Sequence, residues 1–440
     1  MKKSLGLAAA AAIAILAGSI YSEGGTTAYA APVDRMAAEY GPATYADARS
    51  ATERDVAEKR TRLRTAQDSW MARELLAKSL IDRFAYSQDI GDLQEAQLLL
   101  NSAMDLAPTP SGPNFTRATL AMQTHNLATA AQMLDREDAA EVPATRAERA
   151  NHLDMRGDIA FQRGDLGGAL AHYRSADDLS PGFGTKLRLA QHTLWTGNPA
   201  MARETAEKAF AAAKLDPPRF ARMALLMANL SYAQGDIARA GEWVEKAAAT
   251  IEGDWLVDTY VAQQHFAEGR RDLAITQLGD IAGRTGQPDV MDLLAGFLQS
   301  EGRDAEARRW TGRASNAWER KLAASPSAYR LHAAEHYLDF GDPERALELA
   351  REEVTARPQG EGIEVLASAL IANDRPQAAL QILDKALSDG WSSVSLHMAR
   401  AEALQMTGQR RAATRAERDA LALSPQAKSS LRKLIRFGHF

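Results

Sequence analysis

Small residues return along this chain at a spacing that dictates how its segments must pack. Glycine stands at Gly164, Gly197, Gly235, Gly269, Gly302, Gly341 and Gly408, with Asp374 where an eighth would fall, at intervals of 33, 38, 34, 33, 39, 33 and 34 residues. Five residues after each lies an alanine: Ala169, Ala202, Ala240, Ala274, Ala307, Ala346, Ala379 and Ala413. Seven residues before each lies another small residue: Gly157, Ala190, Ala228, Ala262, Ala295, Ala334, Ala367 and Ala401. One geometry explains both columns. Two antiparallel helices joined by a tight turn approach closely only where side chains are small, and a turn glycine takes the left-handed conformation that ends the first helix. Twelve residues past the turn, Ala176, Ala209, Ala247, Ala314, Ala386 and Ala420 mark where the second helix meets the next pair, which Pro181, Pro358 and Pro425 then stop. Such a hairpin cannot bury its apolar stripe alone, so the units must stack. A chain that is 45% hydrophobic but only 6% aromatic suits many close-packed helices and argues against a sheet.

The order small residue, turn glycine, alanine, alanine, proline resembles the tetratricopeptide repeat family. Its clearest copy runs from Leu153 through Gly157, Gly164-Asp165, Ala169, Tyr173 and Ala176 to Pro181. The resemblance covers eight units over residues 151–425. Two degenerate units precede them within residues 52–150, one turning at Gly91-Asp92 with Ala96, Ala103 and Pro108, the other turning at Asn126 with Ala131. Asp374 replaces the turn glycine, Ile281 and Glu353 break the late alanine column, and insertions of four or five residues lengthen two intervals. The resemblance implies an all-α fold, a right-handed α-solenoid of about ten helical hairpins, with a concave groove lined by the first helix of each pair.

Projecting the family's groove positions gives Gln123, Asp158, Phe161, Gln162, Gln191, Trp195, Asn229, Tyr232, Gln263, Phe266 and Gln299, then Glu335, Asp339, Glu364, Glu402 and Gln405. Amides donate to and accept from a peptide backbone whatever its side chains, and aromatic rings offer contact area at low entropic cost. These residues are expected to hold a protein or peptide segment, neutral or basic given Glu335, Glu361, Glu364 and Glu402. Some members of the family grip a terminal carboxylate with basic groove residues. The matching sites here are Asp154, Leu187, Leu225, Thr259 and Asp292, with only Arg222 basic nearby, so no such clamp is expected.

Other chemistries find little footing. With no cysteine, thiolate metal sites and cysteine nucleophiles are excluded. His332-Ala333-Ala334-Glu335-His336 matches the H-x-x-E-H pattern of inverted zinc peptidases, where imidazoles four apart share a metal and the glutamate activates water. Ala334 belongs to the packing column, however, and no second motif offers a third ligand. The sequence has no Gly-Lys-Ser/Thr phosphate loop and no Gly-x-Ser-x-Gly elbow. Nucleic-acid binding would need a basic stripe with interleaved aromatics, which a formal net charge of −5 does not encourage, and no nucleic-acid partner is expected. A non-enzymatic scaffold without cofactor or metal is the expected reading, with an accessory role in polysaccharide export or envelope assembly as the alternative by family analogy, and a zinc hydrolase as the alternative from another class.

The ends carry separate signals. Lys2 and Lys3, the apolar run Leu5–Leu16 and Ala28-Tyr29-Ala30 make residues 1–30 a secretory signal peptide, with cleavage after Ala30 and a periplasmic location expected. An uncleaved anchor is the competing reading, although the run is shorter than the roughly 20 apolar residues a membrane span needs. Residues 31–51 are expected to be a flexible leader, and the charged run Glu58–Arg64 a solvated helix face. Residues 426–440 set Lys428, Arg432, Lys433 and Arg436 beside Leu431, Leu434, Ile435 and Phe437, which reads as an amphipathic C-terminal capping helix. Membrane contact through its basic side is the sharper alternative and is not expected.

Overall fold

The computed structural model describes residue 33, residues 36–108 and residues 110–428. The helices are α1 (Tyr45–Thr65), α2 (Trp70–Ser87), α3 (Ile90–Leu106), α4 (Asn114–Gln123), α5 (Leu127–Asp138), α6 (Arg146–Gln162), α7 (Leu166–Leu179), α8 (Phe183–Trp195), α9 (Pro199–Ala212), α10 (Pro217–Ala233) and α11 (Ile237–Ala248). They continue as α12 (Trp255–Ala267), α13 (Arg271–Thr285), α14 (Pro288–Ser300), α15 (Asp304–Ala324), α16 (Pro326–Phe340), α17 (Pro343–Ala356), α18 (Gly360–Ala372), α19 (Pro376–Ser388), α20 (Val394–Met406) and α21 (Arg410–Leu423). Among the described residues there is no strand, only isolated bridges joining Thr44 to Glu252 and Thr196 to Ser392. After α1 come ten antiparallel pairs, from α2–α3 to α20–α21, each packed on the next. This is the all-α solenoid of tetratricopeptide-like hairpins that the sequence implied.

Both small-residue columns are buried between paired helices, every alanine in them at 4% exposure or less. At Gly157 even one methyl group is too many, since a Cβ there would overlap the Tyr173 ring. Eight pairs turn through three residues, and in each the middle residue has positive φ. Gly164 (+81°) shows why the turn reads glycine then aspartate: Gly164 supplies the left-handed residue, and Asp165 caps α7 by accepting from the Gly168 N–H at 2.8 Å.

The turns also hold corrections. Gly341 has φ −124°, and its pair turns through two residues only. The glycine is needed there because a Cβ would sit 2.6 Å from Cδ1 of Tyr337. Upstream, the first pair turns at Gln88 (φ +54°), not at Gly91-Asp92, which lie inside α3. The second pair turns at His125 (+56°), with Asn126 capping α5, and Ala130 rather than Ala131 is the buried alanine.

One turn of the superhelix rests on the next. Successive hairpin turns meet the loops that follow pairs about five further along. Ser327 Oγ, opening α16, donates to the Thr124 carbonyl at the α4–α5 turn. A Cβ on Gly164 at the α6–α7 turn would lie 2.8 Å from the Pro358 carbonyl in the α17–α18 loop. At the α8–α9 turn, the Ser392 N–H donates to the Trp195 carbonyl (2.8 Å). Gly235, at the α10–α11 turn, faces Gln426 just past α21. The main core spans this wound region from α6 to α20, and smaller separate clusters serve the two ends.

The N-terminal end is strapped down. Val33 and Met36 are buried in the main core. The Glu39 N–H donates to the Leu215 carbonyl (2.7 Å), Glu252 N–H to Ala43 (2.9 Å) and Tyr45 N–H to Glu252 (2.8 Å). The expected leader over 31–51 is therefore held along the α9–α10 and α11–α12 loops from residue 36, and α1 begins inside it at Tyr45. The signal peptide with its cleavage point after Ala30 lies outside the described residues. Of the expected capping helix over 426–440, the first three residues form a turn and the rest lie outside the description.

Candidate partner-binding surface

The residues projected onto the groove separate into two groups. Asp158, Phe161, Gln162, Trp195, Asn229, Tyr232, Gln263 and Glu364 are buried. Gln123, Gln191, Phe266, Glu335, Asp339 and Glu402 are half-buried, and Gln299 and Gln405 are exposed.

The buried group forms joints within the solenoid instead of a surface for a partner. Asp158 accepts from Arg188 Nε and Nη2, each at 2.8 Å, and from the Tyr173 hydroxyl at 2.9 Å. Asp154 lies 3.7 Å from the same guanidinium and accepts from Thr185 Oγ1. Burial pushes the Asp154 carboxyl up to about 6, against the pull of Arg188 and Thr185, while the flanking aspartates raise Arg188 despite its burial. Phe161 and Trp195 both meet Trp391 edge to face, at 5.0 and 5.7 Å between ring centres. Gln162 accepts from Arg357 (3.3 Å), Asn229 from Tyr260 (2.9 Å), and Tyr232 donates to Gln264 (2.6 Å). Glu364 accepts from Ser393, and burial first, then Glu361 and Glu335, push its carboxyl well above the usual range. It therefore favours the neutral acid and presents little charge. Arg188, Arg357 and Trp391 escaped the sequence reading because none falls in a periodic column.

The H-x-x-E-H segment also serves packing. His336 Nδ1 lies 2.7 Å from Asp292 Oδ1 and its Nε2 lies 2.7 Å from Ser315 Oγ, so both nitrogens are engaged. The His332 ring stacks on Trp318. Among the described residues no group of three potential ligands could hold a metal. Asp292, His336 and Ser315 share the order of a serine-hydrolase triad, but Ser315 sits within α15, where helix bonding engages the backbone N–H groups that an oxyanion hole would need. His336, at 1% exposure, is also closed to a substrate.

An accessible surface begins where the seam stops. At Gly269 and Gly302, the α12–α13 and α14–α15 turns, a Cβ would meet nothing within 4 Å, in contrast to the covered turns at Gly164, Gly197 and Gly235. Two projected residues sit here. Phe266 stacks on Phe297 with centres 3.6 Å apart, and Arg271 lies over its ring at 5.8 Å. Gln299 stands exposed at the end of α14, with Leu273 at 44% exposure beside the neighbouring turn. Arg271 and Glu301 pair across the two turns at 2.8 Å. The patch has an apolar centre with a polar rim.

No protein-family model and no curated protein matches the sequence. Among solved structures, yeast Tom70 aligns over 88% of this chain and 91% of its own at 12% identity, with a TM-score of 0.42. Human IFIT1, as a dimer with PPP-AAAA, aligns over 79% and 90% at 13% identity and 0.41. A tetratricopeptide repeat protein from Parabacteroides merdae aligns over 66% and 98% at 11% identity and 0.36. The neighbours are tetratricopeptide-repeat proteins; at scores this low, the fold rests on the hairpins themselves.

Proposed function

We propose that this chain is a non-enzymatic interaction scaffold, exported to the cell envelope, that holds a loop or extended segment of a partner protein along its open turn edge at Gly269 and Gly302. The observation that carries this reading is the seam. Hairpin turns of this solenoid already bind main chain: the α8–α9 turn accepts the Ser392 N–H, and the α6–α7 turn lies against the Pro358 carbonyl. The strap over residues 36–44 is likewise an extended segment, held by main-chain bonds to the Leu215 and Glu252 loops. The same kind of edge continues uncovered at Gly269, where Phe266 offers an anchor and Gln299 an amide that can donate and accept. An accessory role in envelope assembly is compatible with such a scaffold, with export resting on the sequence of residues 1–30.

Photo-crosslinking residues placed at Gln299 and Leu273 in growing cells test the proposal, with Leu421 on α21 as the comparison. The partner is expected in adducts from the first two positions and not from the third. Phe266→Ala with Gln299→Ala is expected to weaken capture at least tenfold, in line with the roughly 1.4 kcal/mol that separates tenfold steps and the 2 kcal/mol or more that an anchor residue contributes. Equal capture from Leu421, or full capture by the double variant, would contradict it.

A further inference from the structure

The molecule is electrically lopsided. Residues 409–440 carry eight Lys/Arg against two Asp/Glu, a net of +6, while the whole chain is −5, which leaves −11 on everything before them. The structure shows what part of that charge is doing. On α21, Arg410, Arg411, Arg415 and Arg418 are all exposed. None of the four makes an ion pair with a carboxylate among the described residues, unlike Arg60, Arg83 and Arg400, although the exposed Arg54, Arg62 and Arg64 on α1 make none either. The two acids nearby do not neutralise them: Glu417 bonds Lys428 and Gln405, and Asp419 pairs with none of the four. Arg411, Arg415 and Arg418 stand at intervals of four and three, which puts them on one face of the helix. Ala413, Ala416 and Ala420 face the opposite way, buried toward the solenoid.

We infer that the outer face of α21 docks the solenoid on a bilayer surface containing anionic lipids. Four uncompensated guanidiniums on one rigid helix repel one another, and an opposing sheet of phosphate groups relieves that repulsion while meeting each fork bidentately. A bilayer fits better than a soluble polyanion because apolar groups accompany the charge. Met406 and Leu421, at the end of α20 and on α21, are exposed at 45% and 39%. No described helix is long and apolar enough to cross a membrane.

Co-sedimentation of the protein purified from cells tests this, using phosphatidylcholine vesicles with and without phosphatidylglycerol. The expected result is binding that requires phosphatidylglycerol and falls steeply with salt. The variant R410Q/R411Q/R415Q/R418Q should bind less by about fivefold per arginine, or two to three orders of magnitude together. R54Q/R62Q/R64Q/R149Q removes the same charge from exposed positions on α1 and α6 and should bind as the parent does. Binding indifferent to phosphatidylglycerol, equal loss in both variants, or retention on heparin with none on vesicles would each overturn the inference.

Discussion

Arg188 is the residue on which the interior of the solenoid most depends. It is 3% exposed and holds Asp154 and Asp158 of the preceding pair, so together with the Thr185–Asp154 hydrogen bond it ties α8 to α6 through buried polar contacts. A buried ion pair contributes little net stability compared with a well-packed apolar pair, but removing one partner strands the other. Arg188→Leu should therefore destabilise by about 3–5 kcal/mol, read as the loss in chemical denaturation, whereas a triple replacement that also removes both carboxylates should recover most of that loss. Asp154 adds a pH dependence. Its carboxyl holds its proton more tightly folded, near 6, than unfolded, near 4. The stability it contributes is fully present below the unfolded value and is lost as pH rises through the folded one. About two pKa units correspond to roughly 3 kcal/mol. Asp154→Asn should leave stability at about pH 4 nearly unchanged and raise it near neutrality relative to the parent, as thermal melts at the two pH values will show. A parallel shift at both would assign the effect to packing.

At the scale of elements, each pair of helices is set by its turn. Gly269 is left-handed (+86°) with open space around it, so Gly269→Ala should cost about 1 kcal/mol through backbone conformation alone. Asp374 occupies the equivalent position at +53°, and Asp374→Gly should gain about 0.5 kcal/mol in the same melting experiment, the relief of strain being offset in part by a freer unfolded chain. Much of this scale was legible in the sequence, because a left-handed turn and a close helix crossing both demand small residues and so leave columns. What was illegible follows the same logic. Gln88 and His125 turn the first two pairs without glycine, since a side chain without β-branching enters that conformation at a cost of roughly 1–2 kcal/mol and leaves no glycine in the column. Gly341 falls in the column for another reason, the nearness of Tyr337.

Across the whole molecule, winding decided which groove residues stay open. Repeat spacing specifies neighbours, and it correctly placed Asp158, Trp195 and Glu364 on first helices. It carries no information about which turn of the superhelix lies on which, because those contacts join residues roughly two hundred apart through single loop side chains such as Trp391 and Gln426. The seam is tightly made. A Cβ at Gly360 would stand 2.6 Å from both Trp195 and Trp391, so Gly360→Val should split the seam and lower the melting temperature by several degrees while leaving the helical circular dichroism of the native state nearly intact. Loss of most helix at low temperature would mean instead that the site is needed to fold a single pair.

The seam can be fixed covalently, and the absence of native cysteine makes the experiment clean. Thr196 and Ser392 form an isolated parallel bridge that sets the α8–α9 turn beside the α19–α20 loop, so cysteines at these positions report on that contact. Oxidation of the Thr196→Cys, Ser392→Cys protein should give a monomeric internal crosslink in high yield, seen as a mobility shift without reductant, while Thr196→Cys paired with Gly302→Cys should give none. Reversed yields, or no crosslink in the first pair, would show an open spiral and leave the groove residues free for a partner along their whole length.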